Sequence, residues 1–184
     1  MANRQQTYIA LLRGINVGGK NKIPMAELRS ICTAIDCDDV QTYIQSGNVV
    51  LTASSSAKAL EENLENAIAD ELGLTIPVLV RSASQWKRYI DGNPCLKEAK
   101  KEPNWVLLCL SKSPPDSNAV SQLQQRATLG ERVVRKGDAI WIHFAGGIGR
   151  SRLTPAVLDR HVGSPVTARN WRTVVKLDEM ARET

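Results

Sequence analysis

Along the chain, short apolar runs alternate with longer stretches whose apolar residues recur every three or four positions, which predicts strands interleaved with amphipathic helices. Residues 7–13 (TYIALLR) read as a buried strand, followed by a loop rich in Gly and Asn. Pro24 then stands at the first turn of a helix that places Met25, Leu28, Ile31, Cys32 and Ile35 on one face. Residues 40–45 and 48–52 predict a hairpin around Ser46-Gly47. A second helix over 56–72 carries the stripe Leu60, Leu64, Ala67, Ile68 and Leu72, with Gly73 as its stop, and 76–81 supplies a fourth strand.

Residues 83–104 are polar enough to be a connector, with one short helix over 84–90 where Trp86, Tyr89 and Ile90 fall at helical spacing. The first pattern then returns: strand 105–110, helix 116–128, strands 132–135 and 139–144 around Lys136-Gly137-Asp138, helix 155–161, strand 166–169 and a helix from Asn170. The reading is an α+β protein of two ferredoxin-like βαββαβ halves packed together, 1–82 and 105–184, with an extra C-terminal helix. The central strands are apolar on both faces, so the face not covered by helices needs the other half or a second subunit, making the chain a monomer or a homodimer.

Composition narrows the classes. At 184 residues and 42% hydrophobic content the chain fills a core without staples. Cys32, Cys37, Cys95 and Cys109 form no C-x-x-C, and Cys32 and Cys109 lie on apolar stripes, which fits reduced thiols in a cytoplasm. The apolar run 8–12 is too short for export or a membrane span, so no membrane partner is expected. A net charge of +5 favours acidic partners.

Three segments could hold an anion. Arg13-Gly14 leads into INVGGKN, which satisfies G-x-x-x-x-G-K after a strand; Asn16, Gly18, Gly19 and Lys20 are its candidate contacts. Asn21 stands where a P-loop has Ser or Thr, and Pro24 starts the helix too late, so nucleotide hydrolysis is not expected and a tight glycine turn is the plainer reading. The second segment is the loop Gly146–Arg152, where Gly147, Gly149, Arg150, Ser151 and Arg152 offer backbone N–H groups beside two guanidinium groups. The third is Arg169, Asn170 and Arg172 at the start of the last helix, with Asn170 as N-cap and Trp171 in the core. In each half the loops after the first and third strands are expected at one end of the sheet. His143 and His161 read as structural, Asp36, Asp38 and Asp39 as a loop, and Glu61, Glu62 and Glu65 as a solvated helix face; no metal or cofactor is expected. An RNA-recognition platform is disfavoured, since the first half offers Tyr8 alone and the second lacks the basic-glycine-aromatic signature.

The stretches YIALLRGINVGGKNKIPMAELR, TYIQSGNVV, GGIGRSRLT and TARNWRTVVKL resemble the bacterial family catalogued as domain of unknown function 1697. That family tends to carry Lys where Arg152 stands and Asn where Arg172 stands, so this chain is the more basic in both loops. The resemblance implies a cytoplasmic bacterial protein with two α+β subdomains and no established activity or catalytic residue. The expectation is therefore binding of a phosphate-bearing ligand, a nucleotide or nucleic-acid backbone, at the basic glycine-rich loops. The alternatives are a small enzyme acting on an anionic metabolite, or a protein interaction module.

Overall fold

The structure is a computed structural model that describes residues 5–184; residues 1–4, with which the first half was expected to begin, lie outside the described part. The chain divides into two compact units, Met1–Lys87 with Leu177–Thr184, and Arg88–Lys176.

The first unit contains β1 (Gln6–Leu12), α1 (Met25–Ala34), β2 (Asp38–Tyr43), β3 (Asn48–Ala53), α2 (Ala57–Leu72) and β4 (Val78–Ser82), and its sheet has the order β2-β3-β1-β4. Alternation along the strands sends Tyr8, Ala10, Leu12, Val49, Leu51, Val78 and Val80 to one face, where they pack on Leu28, Ile31 and Cys32 of α1 and Leu60, Leu64 and Ile68 of α2. Ile9, Leu11, Val50 and Leu79, on the other face, are buried too.

The second unit holds α4 (Leu96–Lys101), β5 (Val106–Ser111), α5 (Ala119–Arg126), β6 (Arg132–Lys136), β7 (Ala139–His143), α6 (Pro155–Val162) and β8 (Val166–Asn170), in the sheet order β6-β7-β5-β8. Cys109, Val133, Ile140, Ile142 and Val166 pack against Ala119 and Leu123 of α5 and Leu158 and Val162 of α6. Both sheets thus have the expected ferredoxin-like order, and all their neighbours are antiparallel. Two further helices, α3 (Ala83–Asp91) and α7 (Trp171–Glu183), run across the sequence positions that divide the units.

Several expectations are corrected. The connector holds a second helix: Leu96–Lys101 form α4, six residues and too short to show a periodic stripe, which buries Ala99 alone. The β2–β3 connection is four residues, Ile44–Gly47, rather than two, because Asn48 Nδ2 donates to Tyr43 O and Ser46 Oγ and so ends the strand at Tyr43. Pro24 flanks α1 as its N-cap in extended conformation instead of entering its first turn. Asp38 and Asp39 belong to β2, at a register shift, and Asp39 accepts from Thr52 Oγ1. Glu61 and Glu65 are not a solvated face: they accept from the Val80 and Val78 backbone N–H groups, both at 2.8 Å. Finally, β1 and β3 are antiparallel, so the loops after the first and third strands lie at opposite ends of the sheet.

Candidate functional site

The end of the first sheet where β1 and β2 finish is built by the β1–α1 loop and the β2–β3 turn. Gly18 and Gly19 take φ of +58° and +75°, which lets the chain reverse, and Lys20 N–H donates back to Val17 O. Asn16 fixes the rest. Its side chain donates from Nδ2 to Ile23 O at 2.9 Å and to Gln45 O at 2.8 Å, and its Oδ1 accepts from Ile23 N–H. Its own φ of +54° is one that Asn tolerates. Asn21 Nδ2 donates to Gly14 O, Leu12 N–H to Gly47 O and Arg13 N–H to Pro77 O. Gly47 is required where it stands, at φ +75°, since a Cβ there would lie 2.7 Å from Leu12 Cβ.

This bracing leaves a shallow depression of about 400 Å³ lined by Asn16, Gly19, Lys22, Ile23, Pro24 and Gln45. Lys20 and Lys22 are exposed beside it, and open space lies above Gly14, Gly18 and Gly19. Ile44, in the adjoining turn, has φ of +49° although it is β-branched, and its side chain is half exposed. A conformation of that kind costs about 1–3 kcal/mol, and in folded proteins such strain concentrates at functional positions. Arg13 is half-buried and engaged within the protein. The sequence pointed to Asn16, Gly19 and Lys20 but not to Lys22 or Gln45; a basic residue after the glycines was the available signal for the first, and nothing local marks the second.

The two arginine segments of the second unit meet at one end of its sheet, because β7 and β8 both run antiparallel to β5 and finish together. They are not adjacent: β5 separates them, a distance of two strand spacings or about 10 Å. Gly147 adopts φ +81° and donates to Phe144 O, and Gly149 and Arg150 lie in a single 3₁₀ turn. Arg150 and Arg152 are exposed. Ser151 is committed elsewhere, its hydroxyl donating to Glu131 at 2.5 Å and accepting from Leu153 N–H. The buried Glu131 carboxylate also accepts from Leu129 N–H. Burial alone would raise its pKa, but the hydrogen bonds from Ser151, Leu129 and its own N–H outweigh it and bring the group below 4.5.

Arg169 donates to Thr167 Oγ1 and Ala168 O on the sheet face away from α5 and α6, and loss of solvent pulls its pKa down to about 10. Asn170 accepts from Thr173 N–H as an N-cap, Arg172 is exposed, and Trp171 packs on Trp141 with ring centroids 5.9 Å apart. His143 meets Glu102 at 3.1 Å while Arg132 lies 3.4 Å from Glu98, so Glu98 of α4 and Glu102 just after it dock that segment onto β6 and β7. His161 hydrogen-bonds Gln122. All four thiols are free and buried, with those of Cys32 and Cys109 pushed up to about 12 by burial. Among the described residues no group of three His, Cys, Asp or Glu side chains could hold a metal, and no helix is long and apolar enough to cross a membrane.

Compared with known proteins, the chain matches the family described as protein of unknown function (DUF1697) over residues 5–141. A solved structure, that of a conserved bacterial protein from Streptococcus pneumoniae, is similar with a TM-score of 0.70 at 24% sequence identity, covering 97% of this chain and 99% of that one. At that identity the likeness concerns the fold alone. Among curated proteins none matches.

Proposed function

The chain belongs to the DUF1697 family of proteins of unknown function, so its role has to be read from its own residues, and we propose that the β1–α1 loop of the first unit binds a phosphate-bearing ligand of nucleotide size. What carries the reading is the braced, shallow depression of about 400 Å³ lined by Asn16, Gly19, Lys22 and Gln45, wide enough for a small ligand to lie on. Two lysines beside it supply positive charge, and glycines with open space above them let an anion approach the backbone. Asn16 holds the loop in place before any ligand arrives, which lowers the entropy cost of binding.

The arginine end of the second unit supports a different form of the same chemistry. Arg150, Arg152 and Arg172 are exposed and spread along one end of the sheet, and the Trp105 ring is 38% exposed where its carbonyl holds the start of the loop through Phe144 N–H. Spaced cations beside an exposed aromatic suit a single-stranded nucleic-acid backbone better than one phosphate.

Calorimetric titration of ATP and of a short single-stranded oligonucleotide into wild type, Lys20→Ala/Lys22→Ala and Arg150→Ala/Arg152→Ala tests both. ATP affinity is expected to fall roughly tenfold in the lysine variant and to be unchanged in the arginine variant. Oligonucleotide binding is expected to weaken in the arginine variant, with a shallower salt dependence. Equal ATP affinity in wild type and the lysine variant, or no ATP binding at all, removes the proposal.

A further inference from the structure

The arginine end of the second unit carries more than charge. Six large apolar residues are exposed among the described residues, and three of them, Trp105, Leu129 and Ile148, stand at this one end. Trp105 precedes β5 and its carbonyl accepts from Phe144 N–H just beyond β7, while Leu129 precedes β6 and Ile148 follows β7. The registers Arg132↔His143, Val106↔His143 and Leu107↔Asn170 bring the four strand ends level. The three apolar residues and Arg172 therefore fall within about three strand spacings, or roughly 15 Å.

The loops that present them are fixed by the protein itself. Glu131, 4% exposed, accepts from Leu129 N–H at 2.7 Å and from the Ser151 hydroxyl, so one buried carboxylate joins the Leu129 loop to the Ile148–Arg152 loop. Gly146 lets the two loops touch, since a Cβ there would stand 3.0 Å from both Leu129 Cβ and Leu129 O. Glu131 is spent on these bonds. Arg150, Arg152 and Arg172 are exposed and have no carboxylate partner among the described residues.

Guanidinium groups alone suit any polyanion. Apolar side chains held among them suit one that also presents apolar faces, and in a nucleic acid these are the faces of the bases, which a duplex hides in its stack and a single strand leaves open. Trp105 can offer its ring to them, being 38% exposed, whereas Trp86, Trp141 and Trp171 are buried. Resting on the reading that this end meets a nucleic-acid backbone, we infer that Trp105, Leu129 and Ile148 receive unpaired bases and make the site selective for single strands over duplexes and other polyanions. Contact with base faces rather than base edges leaves that selection tolerant of sequence.

Fluorescence titration with an oligothymidylate of about 15 nucleotides tests this, beside a duplex and an inorganic polyphosphate of similar charge and a peptide of glutamate and leucine. The oligothymidylate is expected to quench Trp105 and to bind roughly tenfold more tightly than the duplex or the polyphosphate at equal salt. Trp105→Ala and Ile148→Ser should each weaken it roughly three- to tenfold with the salt slope unchanged, Trp105→Phe should restore affinity, and Arg150→Ala/Arg152→Ala should flatten the slope. Ile148 is an exposed loop residue, so its variant decides the matter if Trp105→Ala lowers the thermal midpoint. Weakening in the arginine variant alone, or equal affinity for polyphosphate, overturns this inference and leaves the phosphate reading standing. Weakening in the apolar variants alone keeps the base contacts and removes the arginine contacts. Tighter binding of the peptide than of the oligothymidylate overturns the inference, and no binding of the oligothymidylate to wild type removes both readings of this end.

Discussion

Ser151 shows how a residue chosen for one chemistry serves another. Its position between two arginines in a glycine-rich loop makes it a candidate donor to an external anion, yet the anion it meets is the protein's own Glu131. A loop residue cannot reveal from its neighbours in sequence that a carboxylate twenty positions away folds over it. The pairing has a pH signature. Because the folded-state pKa of Glu131 is depressed, the stabilisation is complete above the ordinary value of 4.5 and is lost as pH falls through the lower folded value. Glu131→Gln should therefore be less stable than wild type near pH 7, with the difference closing as pH falls below 4.5. Urea midpoints across that range check it, and a difference that stays constant with pH would show that the carboxylate charge is not what matters.

At the level of elements, the recurring device is a helix side chain that caps the outer strand of its sheet. β4 is an edge strand, and Glu65 and Glu61 of α2 accept from its Val78 and Val80 N–H groups. In the second unit Asp159 of α6 accepts from Val166 at the start of β8, and Gln124 of α5 accepts from Val133 in β6. Four edge donors are thereby closed to strand addition, which protects a sheet from pairing with another chain. This explains why an acidic stretch that looks solvated in sequence is turned inward: each carboxylate exchanges water for a backbone N–H. Replacing Glu65 by Ala should cost about 2 kcal/mol, the scale of a hydrogen bond to a charged group, and Glu61→Ala/Glu65→Ala should aggregate faster on partial unfolding. A chemical denaturation midpoint unchanged by Glu65→Ala would contradict this.

For the whole molecule, the question left by the sequence was what covers the second face of each sheet. Ile9, Leu11, Val50 and Leu79 in the first sheet, and Val106, Leu108, Leu110 and Trp141 in the second, are all buried within a single chain. The large exposed apolar residues, Val17, Ile44, Leu96, Trp105, Leu129 and Ile148, sit on loops, a short helix and strand flanks and extend neither face. A second copy is not needed to remove apolar area from water, so light scattering should return the mass of one 20.2 kDa chain. A mass twice that at micromolar concentration would show that a surface outside the sheets drives association.

The fold was legible because its determinants are local and repeated: short apolar runs such as 7–13, stripes such as Leu60, Leu64 and Ile68, and stops such as Gly73 are each written within a few residues. Six-residue α4 and the four-residue turn at Ile44–Gly47 escaped, since one is too short to carry a periodic stripe and the other depends on reaching the end of β1. The glycines of the candidate loops, Lys20 and the arginines could also be named from the chain, whereas Lys22 was not. Which of them remain available could not, because that is settled by contacts between residues far apart in sequence: Asn16 with Gln45, Ser151 with Glu131, Tyr89 with Asp138. Sequence determines which elements form and what chemistry they carry, while tertiary packing decides which polar groups satisfy one another and which are left to meet a ligand.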